Sequence, residues 1–135
     1  MIVVDTNILI YYFVKSDHSE TAVQIHRKDP VWVAPILWRS EFRNTLLLYL
    51  RKELLTLSQI LRIVQTAESK MRDHEFHVLA DQILRLANAS TCSAYDCEFV
   101  ALARELGVQL VTADKQILPD FPETAVSPEK FLSMG

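Results

Sequence analysis

The sequence predicts an α/β fold with a mostly parallel central sheet, and three observations carry that expectation. Short apolar, often β-branched runs alternate with helical stretches along the whole chain. The stretches between the runs are long enough to hold the crossover helices that parallel strands require. Half of the 135 residues are hydrophobic and 23% are charged, which suits one domain with a packed core.

Each element follows in order. Ile2, Val3 and Val4 form a short buried strand, and Asp5-Thr6-Asn7 offers N-cap chemistry to a helix over 8–14. After a polar break at 16–19, a second helix is expected over 20–27. Residues 31–34 read as a strand stopped by Pro35. The longest helix is expected over 36–52, with leucines on more than one stripe and hence burial on two sides. The next spans 58–72, with Ile60, Leu61, Ile63 and Val64 at helical spacing. Residues 76–79 look like a strand and 81–88 a helix. Ser93 and Asp96 open a helix over 97–106 that Gly107 closes. Residues 108–111 are strand-like, and Val126 marks a last edge strand.

Composition excludes several functions. The net charge of -3 and pI near 5.8 argue against gripping nucleic acid through bulk positive charge, but not against a nuclease, whose site needs carboxylates. With glycine only at positions 107 and 135, no Gly-rich phosphate loop can form. Two cysteines make no disulfide framework. The start of the chain lacks a basic n-region, and no apolar run has membrane-spanning length. A soluble, cytoplasmic protein without membrane association is expected.

In parallel sheets, ligands bind outside the carboxyl ends of the strands. Asp5 follows the first strand, Asp114 lies three residues beyond Val111, and Asp96 starts a helix. Glu41 lies one turn into the long helix with Asn44 at i+3. Read singly, each Asp is most often an N-cap, and Glu41 between Arg39 and Arg43 a solvated helix face. Together they form a cluster whose mutual repulsion persists only with cations present. Oxygen-only ligands suit Mg²⁺ or Mn²⁺, which serve phosphodiester hydrolysis.

At these residues the sequence resembles the PIN-domain superfamily, and within it the VapC toxins of toxin–antitoxin pairs. The matching pieces are Ile2-Val3-Val4-Asp5-Thr6-Asn7, Ser40-Glu41-Phe42-Arg43-Asn44, and Tyr95-Asp96 leading into Phe99-Val100-Ala101-Leu102-Ala103. Gly107 and Leu110-Val111-Thr112-Ala113-Asp114 complete them. The resemblance spans essentially the whole chain and implies one PIN domain over 1–135, with a three-layer α/β/α fold. It implies a Mg²⁺- or Mn²⁺-dependent endoribonuclease whose catalytic and metal-holding acids are Asp5, Glu41, Asp96 and Asp114. Thr6, Asn7, Asn44 and Thr112 take the supporting positions. It further implies a homodimer, inhibition by a VapB-type antitoxin, and contact with DNA only through that antitoxin. Cys97 departs from the small alanine of many relatives, a change that packing should tolerate.

Other chemistries find less support. His74-x-x-His77 and Cys92-x₄-Cys97 suggest zinc only weakly, because the histidines enter a strand at a spacing that parts their rings. No nucleophile-elbow motif supports a Ser or Cys hydrolase. A receiver domain lacks its mid-chain acceptor Asp around 53–57, and a phosphatase of the HAD type would want an acid where Asn7 stands. Arg39, Arg43, Lys15 and Lys115 are candidate RNA or antitoxin contacts, although a solvated helix face explains the arginine pair as well. Trp38, Tyr11 and Tyr12 read as core before base-stacking groups, and the leucine excess over 36–52 and 58–72 as partner burial. The alternatives are a housekeeping RNA-processing PIN nuclease and a non-catalytic, operon-regulating partner-binding module. Setting the four candidate acids aside leaves 13 acidic against 14 basic residues, so the negative balance lies in the candidate site.

Overall fold

The computed structural model describes residues 1–135. Its strands are β1 (Ile2–Val4), β2 (Trp32–Pro35), β3 (Glu75–Phe76), β4 (Leu110–Val111) and β5 (Ala125–Val126). They form one all-parallel sheet in the order β3-β2-β1-β4-β5, with Val126 on an edge strand as expected. All three residues of β1 are buried, as a central strand covered on both faces requires. The helices flanking the sheet are α1 (Thr6–Phe13), α2 (Ser19–Lys28), α3 (Trp38–Arg51), α4 (Leu57–Met71), α5 (Ala80–Asn88), α6 (Ala94–Leu106), α7 (Ile117–Asp120) and α8 (Pro128–Ser133). No helix is long and apolar enough to cross a membrane.

Side-chain caps explain where several helices start. Asp5, in extended backbone, accepts from the Thr6 N–H and starts α1 two residues earlier than the apolar pattern suggests. Thr56 and Gln59 form a reciprocal capping box on α4, and Ser93 caps α6 by accepting from the Asp96 N–H. α6 therefore begins at Ala94, not at residue 97. Gly107 closes it at φ +67°, and the Val108 N–H turns back to the Ala103 carbonyl. That bond takes Val108 out of the expected strand, and β4 is left with two residues.

Other boundaries differ for equally local reasons. β2 runs through Pro35, because the parallel partner bond there comes from the Ile36 N–H to the Phe76 carbonyl and needs nothing from the proline nitrogen. β3 is Glu75–Phe76 instead of 76–79, and Leu79 instead caps α5 from extended backbone. α3 has one fully buried stripe, Trp38, Phe42 and Leu46, where two buried sides were expected. Its leucine-rich flank and that of α4 stay open: Leu48 is 45% exposed and Leu61 60%. The short helix α8, after the last strand, is not predicted by the apolar pattern.

The topology decides where function can sit. The chain passes from β1 to β2 and β3 on one side, then crosses to β4 on the other side of β1. The carboxyl ends of β1 and β4 thus flank the point where the winding reverses.

Candidate active site

Asp5 sits at that reversal, 7% exposed, directly after β1. Its backbone N–H donates to the Val111 carbonyl of β4 at 3.0 Å, which fixes it beside the neighbouring strand end. Its Oδ1 accepts from the Thr6 N–H at 2.7 Å, and its Oδ2 from the Thr112 hydroxyl at 2.6 Å. Thr112, fully buried, also accepts from the Asp114 N–H at 3.0 Å, so one hydroxyl links the two acids' loops. Asn7 adds a second link, donating to Asp5 Oδ2 at 3.4 Å and accepting from the Ala113 N–H at 3.3 Å.

Glu41, on the first turn of α3, is half-buried and accepts from the Thr6 hydroxyl at 2.7 Å. Thr6 therefore donates its N–H to Asp5 and its O–H to Glu41, bridging the two carboxylates. Asp96 lies in the first turn of α6, half-buried, and Asp114 Oδ1 accepts from the Gln116 and Ile117 N–H groups at 2.7 and 3.3 Å.

The electrostatics bind these four acids into one group. Burial, reinforced by the charges of Glu41 and Asp96, pushes the Asp5 carboxyl up to about 7 against the opposing hydrogen bonds from Thr112 and Thr6. Burial also raises Glu41, helped by the charges of Asp96 and Glu98. Asp96 is raised by burial first and then by Asp114. Glu98 is an acid that sequence spacing alone did not single out. It too is raised by burial, and the charge of His77 opposes that rise. Its signal lay two residues after Asp96 on the same helix, masked because i+2 positions point to different faces.

The family model of the PIN domain matches residues 2–124. The chain belongs to the PIN-domain family. The fold of this PIN domain is similar to PAE2754 from Pyrobaculum aerophilum, with a TM-score of 0.76 and 22% identity over 97% of this chain and 92% of that one. It is also similar to a chain of FitAcB from Neisseria gonorrhoeae, with a TM-score of 0.75 and 15% identity over 96% of this chain and 99% of that one. No curated protein matches the sequence. PIN domains are typically Mg²⁺-dependent nucleases and generally bind a divalent metal.

The residues present fit such a cation. The donor set is all carboxylate and hydroxyl oxygen, and Asp5 is buried with acids around it and no Lys or Arg of the chain among the charges acting on it. No group of three or more His, Cys, Asp and Glu side chains is drawn close enough to hold a metal ion by itself. An open set matches Mg²⁺, which keeps several waters and takes one or two carboxylates directly.

The remaining candidates fall elsewhere. Asn44 is exposed and makes no hydrogen bond to the acids, unlike Thr6, Asn7 and Thr112. Arg39 forks onto Glu75 and reaches Glu68, and Arg43, 54% exposed, lies 3.7 Å from Glu68. Lys115 is exposed beside Asp114, whereas Lys15 borders a groove between the end of α1 and α4. Trp38 is fully buried, with Tyr11 stacked on His18 and Tyr12 packed edge-on against Trp32. His74 bonds the Trp32 carbonyl through Nδ1, while His77 is exposed directly after β3, where its charge acts on Glu98. Cys97 is fully buried in α6.

Proposed function

We propose that this PIN domain hydrolyses RNA phosphodiester bonds with Mg²⁺ or Mn²⁺, using Asp5, Glu41, Asp96 and Asp114. The observation that carries the reading is Asp5: a buried carboxyl raised to about 7 among other acids, in a family that binds divalent metal. Carboxylates gathered without a cation of their own are the arrangement that a divalent cation stabilises.

When bound, the cation supplies positive charge for the phosphate oxygens and lowers the pKa of an attacking water. The chain's part is to prepare the oxygens that hold it. Thr112 and the Thr6 N–H each direct one oxygen of Asp5, and the Thr6 hydroxyl turns Glu41 toward the same strand end. The Gln116 and Ile117 N–H groups hold one Asp114 oxygen and leave the other free of chain donors. Such supporting bonds typically change metal affinity or activity by about 10- to 100-fold. Lys115, exposed next to Asp114, is a candidate contact for the RNA backbone in this reading.

We further read residues 1–135 as one domain acting in the cytoplasm as the toxin of a toxin–antitoxin pair, a homodimer held inactive by a VapB-type antitoxin that alone touches DNA. The support is the resemblance together with the uncovered leucines of α3 and α4. Beside α4 runs a groove of about 370 Å³ lined by Phe13, Val14, Leu55 and Ile63. The test is cleavage of total RNA by the purified chain. Activity is expected with Mn²⁺, is lost in chelator, and drops by at least about 100-fold in Asp5→Asn, which removes the central carboxylate. Growth arrest on expression, abolished by the same substitution, separates the toxin from a housekeeping nuclease. Wild-type protein that cleaves no RNA with either metal refutes the nuclease.

A further inference from the structure

Asp96 stands in the first turn of α6 and Asp114 in the loop leaving β4. A set of hydrogen bonds away from the carboxylates joins the segment before α6 to the segment after Asp114. Asp120, at the end of α7, accepts through Oδ2 from the Thr91 N–H at 2.8 Å and the Thr91 hydroxyl at 2.6 Å. The Cys92 thiol donates to the same oxygen at 3.6 Å. Gln116 completes the link from the other side, its Nε2 donating to the Thr91 carbonyl at 2.7 Å.

Both ends of this link lead directly to the acids. Thr91 stands two residues before Ser93, whose hydroxyl accepts the Asp96 N–H and so fixes the start of α6. Gln116 uses its own N–H to hold Asp114 Oδ1 at 2.7 Å. One residue, Gln116, therefore grips the α6 loop with its side chain and the Asp114 carboxylate with its backbone. Thr91 and Gln116 are themselves exposed, and surface hydrogen bonds of this kind add little to stability. Satisfying the N–H, O–H and C=O of one exposed threonine is more than loop closure needs, and it makes sense as alignment.

We propose that Asp120, Thr91 and Gln116 form a clasp that fixes the spacing of the Asp96 and Asp114 carboxylates, with Asp120 and Gln116 as positioning residues for divalent-cation binding. The proposal rests on the reading that these acids hold the cation. The Asp120 carboxylate is held below its ordinary range by the two Thr91 bonds, consistent with an acceptor that stays charged and keeps its grip.

The experiment titrates Mn²⁺ into the full chain by calorimetry and measures thermal unfolding in chelator, for wild type, Asp120→Ala, Asp120→Asn and Gln116→Ala. Asp120→Ala and Gln116→Ala are expected to weaken Mn²⁺ binding about tenfold or more while the chelator unfolding midpoint hardly moves. Asp120→Asn loses the same charge as Asp120→Ala but keeps an oxygen acceptor for Thr91. It is expected to recover most of the affinity, which separates positioning from simple loss of a negative charge. Wild-type affinity in Asp120→Ala overturns the clasp, and so does equal weakening in Asp120→Asn and Asp120→Ala. If the wild type itself takes up no Mn²⁺, the metal-dependent reading fails first.

Discussion

Two groups of buried or half-buried carboxylates stand in this molecule, and they have opposite electrostatics. Glu75 on β3 accepts from the Arg39 guanidinium at 2.6 and 2.8 Å and from the Trp38 indole at 2.7 Å. Those hydrogen bonds, Arg39 first, hold its carboxyl below the ordinary range. Asp5 is more deeply buried, meets only neutral donors, and rises to about 7. Glu75 is an acid with its cation built into the chain, so its role is structural. Asp5, Glu41 and Asp96 are acids gathered without one, and under the proposed function that difference is why a cation from solution would bind beside them.

The comparison can be broken from either side. The largest effect is expected at the structural group: Arg39→Ala leaves Glu75 half-buried without its charged partner and should cost about 2 kcal/mol in urea unfolding. Its Mn²⁺ affinity should stay within about twofold of wild type, since the fork lies outside the acid cluster; a large loss of affinity would erase the distinction. On the other side, Thr112→Val removes the hydroxyl that joins Asp5 to the Asp114 loop. Mn²⁺ affinity measured by calorimetry should drop about tenfold, and Thr112→Ser should restore it.

The pH dependence of stability carries both signatures. Asp5 has a higher pKa folded than unfolded, so the native state holds the extra proton, and its contribution is lost as pH rises from about 3.8 toward 7. Glu75 is depressed on folding, so its contribution is present above its ordinary value of 4.5 and lost as pH falls below it. Metal-free protein should therefore lose thermal stability on both sides of a mildly acidic maximum. Added Mn²⁺ should remove the alkaline decline and leave the acid one. The smallest effect is expected from Leu61→Gln on the open face of α4, within about 0.5 kcal/mol in unfolding, because that side chain is already in solvent.

Much of this was legible in the sequence because strand ends and caps are local. Asp5, Asp96 and Asp114 could be placed from the apolar runs before or after them, and the parallel sheet from the length of the crossovers. The misses came where tertiary contacts outweigh local pattern. Glu75 has poor strand propensity, yet it pairs in β3 with Arg39 and Trp38 on its carboxylate, while Val78 and Leu79 leave the strand to start α5. A helix of six residues such as α8 carries too little periodicity to be seen, and α7, with four, too little to be given bounds. Arg39 and Arg43 flank Glu41 in sequence, but one helix presents them to Glu68, a residue that spacing along α3 could not have named.

The most direct measurement is Mn²⁺ binding by calorimetry near pH 7 in buffers of different ionisation enthalpy, comparing wild type with Asp5→Asn. The wild type should bind with uptake of Mn²⁺ coupled to release of a fraction of a proton, because Asp5 is partly protonated there. Asp5→Asn should lose both the binding and the release. Wild-type protein that binds no Mn²⁺, or Asp5→Asn that binds it equally well, contradicts the account.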